Sequence, residues 1–307
     1  MRSPAAWQPS RADMERVDRL IRRYRIDARS TLDPLVGSCY PSLERNRRNE
    51  YRKMIELSTK MTLVGHAATA ALGHAYDRRR RRIATLFGGC CFLADSFIDD
   101  FGDEAARAYL DRFEVLLTRG WFHPRTDRER LFYAIITRLF LERDVLRPTL
   151  RQAVLLLYEA QRRDVEMRSL HASPASKRRH LHELKLCARD RSGHAILVLS
   201  SFLVPDIALA RCTPIFAAGS LIMHIDDHGD AFADLHDRRV TYMNQMANPA
   251  RTLRRIFDRE MSRLVTGLPP NTGRELLVAF LTRYFVTRLQ KHRQQRKLKG
   301  GAWAVYE

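Results

Sequence analysis

Two stripes of aspartate are the residues of this chain best suited to chemistry. They consist of Asp95, Asp99 and Asp103 in LADSFIDDFGDE, and of Asp226, Asp230 and Asp234 in IMHIDDHGDAFADLHD. Each stripe runs i, i+4, i+8, so on an α-helix its three carboxylates lie on one face. Like charges at this spacing destabilise a helix by about 0.2–0.5 kcal/mol per pair, and by more when buried. A hard divalent cation offsets that repulsion, and Mg²⁺ typically takes one or two carboxylates together with substrate phosphate oxygens.

Each stripe also contains the string DDxxD, which adds Asp100 to the first and Asp227 to the second. One DDxxD string alone commonly lies on a solvated helix face. Two copies, both in strongly apolar surroundings, are hard to explain in that way. We therefore expect a metal site built from the carboxylates of both stripes: Asp95, Asp99, Asp100, Asp103, Asp226, Asp227, Asp230 and Asp234.

The pattern of the whole chain is helical. Of its 307 residues 45% are hydrophobic, glycine and proline are sparse, and no segment alternates with the period of a strand. The sequence predicts an all-α fold: one domain over residues 1–307, a bundle of roughly ten helices. Pro34, Gly37 and Pro41 predict a partly irregular segment within residues 1–50, and residues 291–307 form a basic tail.

The two helices that carry the stripes, near residues 80–101 and 212–236, are apolar nearly all round. Helices of that kind are buried, so we expect both at the centre of the bundle. A central pair of helices that aim carboxylates at each other would make a metal-lined cavity.

With these motifs in an all-α chain, the sequence resembles the class I isoprenoid synthase superfamily. That superfamily includes trans-prenyltransferases, squalene/phytoene synthases and class I terpene cyclases. DDFGD, from Asp99 to Asp103, resembles its first Asp-rich motif, and DSFIDD, from Asp95, is equally similar to the DxxxDD form of squalene-synthase-like enzymes. The second stripe keeps the register of the second cyclase motif with aspartate in place of Asn, Ser and Glu. An acidic triad in this register is similar to that of tetraprenyl-β-curcumene synthase-like cyclases.

The resemblance implies a lyase, a class I terpene synthase that uses Mg²⁺ to ionise a prenyl diphosphate and then cyclises the carbocation, releasing diphosphate. It implies about three Mg²⁺ ions, bound with the substrate. The alternatives within the superfamily are squalene/phytoene synthase-like coupling and chain elongation. The chain lacks the Gly-Gly-Lys-Arg stretch and the Arg-Arg pair of elongating enzymes, and has only Arg107 after its first motif. These departures favour cyclisation.

The resemblance also implies residues that handle the diphosphate. Arg283 and Tyr284, on the last helix, resemble the Arg–Tyr pair that many cyclases place over it, and we assign both to catalysis together with Asp99 and Asp103. The remaining candidates for diphosphate binding are Arg189, Arg191, Arg239 and Tyr242. The first two precede Ser192-Gly193, where a break in the helix would aim an arginine at the substrate.

The net charge of +19 suits several anionic partners. A basic helical nucleic-acid-binding protein is the alternative from a non-enzyme class, but no binding motif occurs, and we expect no specific nucleic-acid partner. A phosphohydrolase of the HD type would need a His-Asp pair, and the single one, His236-Asp237, follows the stripe. We expect the run Arg78–Arg82 and the tail to be solvated, and a peripheral contact with anionic membrane stays open.

The five cysteines are odd in number and lack CxxC spacing, which is typical of a reducing cytoplasm. We therefore predict a cytoplasmic protein, and a homodimer is compatible with the sequence. Neither the chain length of the substrate nor the product skeleton follows from the residues.

Overall fold

The computed structural model describes residues 9–99, 102–142, 148–168, 177–204, 206–207, 209–237 and 239–298, without the side chains of residues 98, 99, 102, 103, 168, 209 and 210. This part of the chain holds eleven α-helices and one short 3₁₀ helix, and it holds no strand, which confirms the all-α prediction there. The helices are α1 (Arg11–Cys39), α2 (Pro41–Asn46), α3 (Arg48–Ala71), α4 (Arg78–Asp99), α5 (Gly102–Arg119), α6 (Asp127–Glu142), α7 (Pro148–Arg168), α8 (Lys177–Leu203), α9 (Leu209–His236), the 3₁₀ helix (Met243–Gln245), α10 (Pro249–Gly267) and α11 (Thr272–Leu298).

The segment predicted to be irregular within residues 1–50 is helical over most of its described length. Pro34 lies inside α1, and Pro41 opens α2 at its first turn, where a proline removes no helical hydrogen bond. An interior proline forfeits one backbone bond, but Leu32, Leu35 and Val36 around it are buried in the core. Their burial outweighs the local cost, so Pro34 and Gly37 end no helix, whereas α1 does end at Cys39, just before Pro41.

The two helices that carry the aspartates lie in the interior of the bundle. α9 packs against α8, α10 and α11, while α4 packs against α1, α3 and α6. One main hydrophobic core extends through these helices, and a smaller cluster joins α5 to α7. None of the described helices is long and apolar enough to cross a membrane.

Close packing of α8 on α9 rests on two glycines. A Cβ at Gly219 would stand 2.4 Å from the carbonyl oxygen of Ser192, and one at Gly193 would stand 2.4 Å from the ring of Phe216. The predicted break at Ser192-Gly193 is therefore absent, because α8 runs through it unbroken and the glycine serves helix contact. The contact fixes how α8 and α9 are placed relative to each other.

Candidate active site

A large apolar cavity is enclosed by seven helices, α3 to α9. Its volume, including the part open to solvent, is about 1210 Å³. Seven aromatic side chains line it, with aliphatic side chains between them. Among the described residues, the charged groups of the lining are Asp95, Arg191 and Asp226.

The cavity brings together one carboxylate from each acidic stripe. Asp95 comes from α4 and Asp226 from α9, two helices far apart in the chain. Asp100 and the side chains of Asp99 and Asp103 lie outside the described residues. The convergence of the two stripes is thus seen for Asp95 and Asp226, and the metal itself stays a prediction.

Arg191 joins the first stripe to a helix that the sequence reasoning had not used. Its Nη2 lies 3.6 Å from Asp95 Oδ1, and its Nη1 lies 2.9 Å from Asp164 Oδ2 on α7. The Arg191 and Asp164 side chains are only 14% and 16% exposed, so water screens that pair little, whereas the Asp95 side chain is 43% exposed. Asp164 belongs to no sequence motif, and the packing of α7 on α8 brings it beside Arg191.

Two cations of α11 form ion pairs with carboxylates of the second stripe. Tyr284 donates its hydroxyl hydrogen to Asp226 Oδ1 at 2.5 Å, and Arg288 forms an ion pair with the same oxygen. Arg288 Nη1 also lies 3.2 Å from Asp230 Oδ1, and Lys291 donates to that oxygen as well. Tyr284, Arg288 and Lys291 recur at i, i+4 and i+7, so one face of α11 meets the acidic face of α9.

Each of these two carboxylates keeps one oxygen free. Within the described part of the chain, Oδ2 of Asp226 and Oδ2 of Asp230 have no hydrogen-bond partner, and the side chains are 41% and 36% exposed. A free carboxylate oxygen in a partly open site is the donor that Mg²⁺ takes. The described residues contain no group of three or more His, Cys, Asp or Glu side chains placed to hold a metal ion by themselves. The donors fit the type of Mg²⁺ site in which few carboxylates act together with substrate phosphate.

Burial and neighbouring charges shift several groups at this site. Burial, aided by the Asp226 carboxylate, raises the pKa of Tyr284 well above its usual range, so its hydroxyl remains a hydrogen-bond donor. Burial lowers the pKa of Lys60, which lies on α3 with its ammonium 4.9 Å from the centre of the Tyr284 ring, whereas Asp226 opposes that shift. Burial, followed by the charge of Asp234, raises the pKa of Asp227 well above its usual range.

The other candidates lie elsewhere. Arg283 forms an ion pair with Asp18 of α1 and is not part of the cavity lining, so the cation beside Tyr284 at the acidic stripe is Arg288. Arg189 pairs with its neighbour Asp190 at 2.8 Å.

The remaining two candidates follow the second stripe. Tyr242 packs against His224, with a ring separation of 5.9 Å, and the backbone of Arg239 bonds to Asp234. Neither residue lines the cavity.

Sequence reasoning missed Lys60, Asp164, Arg288 and Lys291. Two of them could have been found from their spacing, because Arg288 and Lys291 share a helical face with Tyr284. The family resemblance instead pointed to Arg283, the residue next to Tyr284. Lys60 is a single charge in a mainly apolar stretch of α3, which is also unusual.

Two comparisons with known proteins find no match for this chain. The chain matches no family model, and it matches no curated protein. The fold and the residues of the cavity are therefore what a functional proposal rests on.

Proposed function

We propose that this protein is a class I terpenoid synthase that ionises a prenyl diphosphate and cyclises the resulting carbocation. The observation that carries the proposal is the placement of Asp95, Arg191 and Asp226 in the wall of an otherwise apolar, aromatic-rich cavity. An apolar chamber with a charged edge suits a substrate that has a hydrocarbon chain and an anionic head.

The roles of the residues follow from their charges. Arg191, Arg288 and Lys291 are the cations nearest the two stripes and would take diphosphate oxygens, arginine in a bidentate manner. Lys60 adds a further positive charge beside Asp226. Asp95, Asp226 and Asp230 would hold Mg²⁺ with the predicted ligands of the first stripe, and the bound ions would supply charge neutralisation for the leaving diphosphate.

The cavity wall would protect and guide the cation. Its aliphatic side chains exclude water, which would otherwise quench a carbocation. Aromatic faces attract cations through their quadrupole, and Phe87, Phe113 and Phe132 are among those in the lining. The thiols of Cys90 and Cys91 also line the cavity, but burial raises their pKa, so they remain neutral and poorly nucleophilic.

Release of diphosphate tests the proposal. Purified protein is incubated with geranyl, farnesyl and geranylgeranyl diphosphate, with Mg²⁺ or with EDTA, and the organic extract is read by mass spectrometry. We expect Mg²⁺-dependent release and a cyclic hydrocarbon or alcohol. Parallel reactions with isopentenyl diphosphate separate cyclisation from elongation, and a doubled carbon skeleton would identify coupling.

Two matched variants localise the activity. Asp226→Asn should lower turnover by about 10²-fold or more, the scale for removing one group that stabilises developing charge. Asp258→Asn is the control, since Asp258 is exposed on α10 and has no ion pair within the described chain. If no prenyl diphosphate is ionised, or if both variants retain full activity, the proposal is wrong.

A further inference from the structure

A second concave site lies on the outer face of the bundle, where α1, α2 and α3 meet. We call it the arginine groove. Its volume, including open solvent, is about 1120 Å³. Tyr51 and Ile55 contribute the buried surface at its base, and five arginines surround them. The arginines are Arg25 and Arg29 of α1, Arg45 of α2, and Arg48 and Arg52 of α3.

The positive charge of the groove is not neutralised by the protein. Two carboxylates, Glu44 and Glu56, share the lining with the five guanidinium groups. Within the described chain, none of the five arginines forms an ion pair or a side-chain hydrogen bond. Arg79 and Arg112, in contrast, each pair with a glutamate, at 2.9 Å from Glu142 and 2.5 Å from Glu129.

The spacing of these arginines adds to the repulsion. Arg25 and Arg29 stand at i, i+4 on α1, and Arg48 and Arg52 stand at i, i+4 on α3. Each like-charged pair costs a helix about 0.2–0.5 kcal/mol, and here two such pairs face a common concavity. A cleft concentrates the field of the charges that line it. A bound anion would relieve this repulsion.

The shape and chemistry of the groove indicate which anion. Guanidinium groups bind phosphate oxygens bidentately, and arginines from three different helices converge on one volume. The two glutamates in the lining would repel an extended polyanion that ran across the groove. A compact group with several phosphate oxygens can contact the arginines from within the concavity. Tyr51 is fixed by a 2.5 Å hydrogen bond that it donates to Asp33, so the base of the groove is preorganised.

We propose that the arginine groove is a binding site for a compact polyphosphate or phosphomonoester group, separate from the apolar cavity. The two sites share no lining residue, although both use α3: Arg48, Arg52 and Glu56 line the groove, whereas Leu57 and Met61 line the cavity. The site does not depend on the reaction proposed for the cavity. Its ligand is either a free phosphorylated molecule or the phosphate headgroup of a lipid.

Calorimetric titration with inorganic triphosphate tests the groove. The titration is done in EDTA, so that the Mg²⁺-dependent cavity site proposed above does not contribute. The groove variant is Arg29→Gln with Arg48→Gln. The matched control, Arg251→Gln with Arg255→Gln, removes the same charge from two exposed arginines of α10 that have no ion pair in the described chain.

We expect the groove variant to bind triphosphate at least about tenfold more weakly than the wild type, as loss of charge-assisted hydrogen bonds requires. The control variant should lose less than about twofold, the effect of net charge alone. A variant with Arg29→Lys and Arg48→Lys keeps the charge but loses the bidentate fork, so its affinity for triphosphate should lie between those of the wild type and the groove variant. Circular dichroism verifies that all variants fold. Equal affinities in the groove and control variants, or no binding by the wild type, would overturn the proposal.

Vesicles distinguish the two sources of phosphate. Co-sedimentation is measured with vesicles of phosphatidylcholine alone, with added phosphatidic acid, and with added phosphatidylserine at equal charge. Loss of phosphatidic acid binding in the groove variant alone assigns a lipid headgroup, and triphosphate binding without such a loss assigns a free ligand. Equal binding to both anionic vesicles by all variants, without triphosphate binding, contradicts a site in the groove. The proposal is also contradicted if single-stranded RNA binds to the wild type but not to the groove variant while triphosphate binds to neither.

Discussion

At the scale of single residues, two of the three carboxylates of the second acidic stripe are already paired with cations of the protein. Asp226 and Asp230 each use one oxygen to accept from the cations and the tyrosine of α11. This arrangement offsets the like-charge repulsion between carboxylates that stand four residues apart on one helix. It also holds the free oxygens in place, so a ligand would meet carboxylates that are ordered in advance.

Arg288 and Arg283 make a matched pair for testing this arrangement. Both lie on α11, but Arg288 pairs with the acidic stripe, whereas Arg283 pairs with Asp18. Under the proposed function, Arg288→Ala should lower the rate of diphosphate release by about 10²-fold, because a cation at the site of charge development is lost. Arg283→Ala should leave that rate within about twofold and cost about 0–1 kcal/mol of stability, as for a partly exposed ion pair.

The measurement is steady-state diphosphate release together with urea unfolding of both variants. The original interpretation of the Arg–Tyr dipeptide would regain support if Arg283→Ala were inactive and Arg288→Ala were not.

At the scale of elements, the approach of α8 to α9 sets the geometry of the cavity. Arg191 on α8 and Asp226 on α9 both line it, and Gly193 and Gly219 allow the two helices to come close. The distance between the helices therefore controls the distance between an arginine and an acidic stripe. Helix contact is expected to matter here as much as the charged groups themselves.

Gly219→Ala tests this contact. The added Cβ would meet backbone, the Ser192 carbonyl oxygen at 2.4 Å, and backbone cannot rotate away as a side chain can. We expect a loss of about 1–3 kcal/mol in the free energy of unfolding, as for overpacking elsewhere.

Gly37→Ala is the control in the urea titration. Gly37 lies inside α1 with nothing within 4 Å of its added Cβ, so alanine there should stabilise by up to about 1 kcal/mol. Similar stabilities for the two variants would mean that the α8–α9 contact is looser than described.

At the scale of the whole molecule, buried histidines link folding to pH. Burial lowers the pKa of His66 to about 4 and those of His224 and His228 to about 3, from an ordinary value of 6.5. Below about pH 6.5 the unfolded chain binds protons at these positions, whereas the folded protein does not. The stability that these neutral histidines contribute is therefore fully present above about pH 6.5, and it is lost as the pH falls through their folded pKa values.

His228 supplies the sharpest test of that loss. Its side chain is fully buried, and neither ring nitrogen has a hydrogen-bond partner in the described part of the chain. In His228→Leu, the slope of unfolding free energy against pH between about 6 and 4 should decrease by about 1.4 kcal/mol per pH unit.

His236→Leu is the control, since the His236 side chain is 79% exposed, and its slope should change less than that of His228→Leu. Urea unfolding at several pH values gives both slopes. An unchanged slope in His228→Leu would show that this histidine takes up a proton in the folded protein as well.

The large positive charge is also a property of the whole molecule, and its distribution differs from the sequence-based expectation. We predicted that the run Arg78–Arg82 is solvated: Arg79 and Arg82 are exposed while they pair with Glu142, whereas Arg81 is only 22% exposed and lies 3.7 Å from Asp27. Five arginines that have no ion pair in the described chain come together in the arginine groove. Consecutive charges are visible in a sequence, but their partners come from other helices.

The sequence by itself determined the helical class and the two acidic helices. Hydrophobic period is local information, and it placed both acidic helices to within a few residues: the helix predicted near 80–101 is Arg78–Asp99, and the one near 212–236 is Leu209–His236. It failed at Pro34 and at Gly193, where local breaker signals were outweighed by burial and by helix contact. The i, i+4, i+8 spacing likewise sufficed to pick out Asp226 and Asp230.

Only the tertiary structure decided which charges meet. Arg191 with Asp164, Arg288 with Asp226, and the five arginines of the groove are brought together by packing between helices. No spacing within one helix encodes such a pair, because each helix can be rotated or shifted without changing its own hydrogen bonds. The orientation of each helix is fixed by the fit of its neighbours, as the α8–α9 contact through Gly193 and Gly219 illustrates.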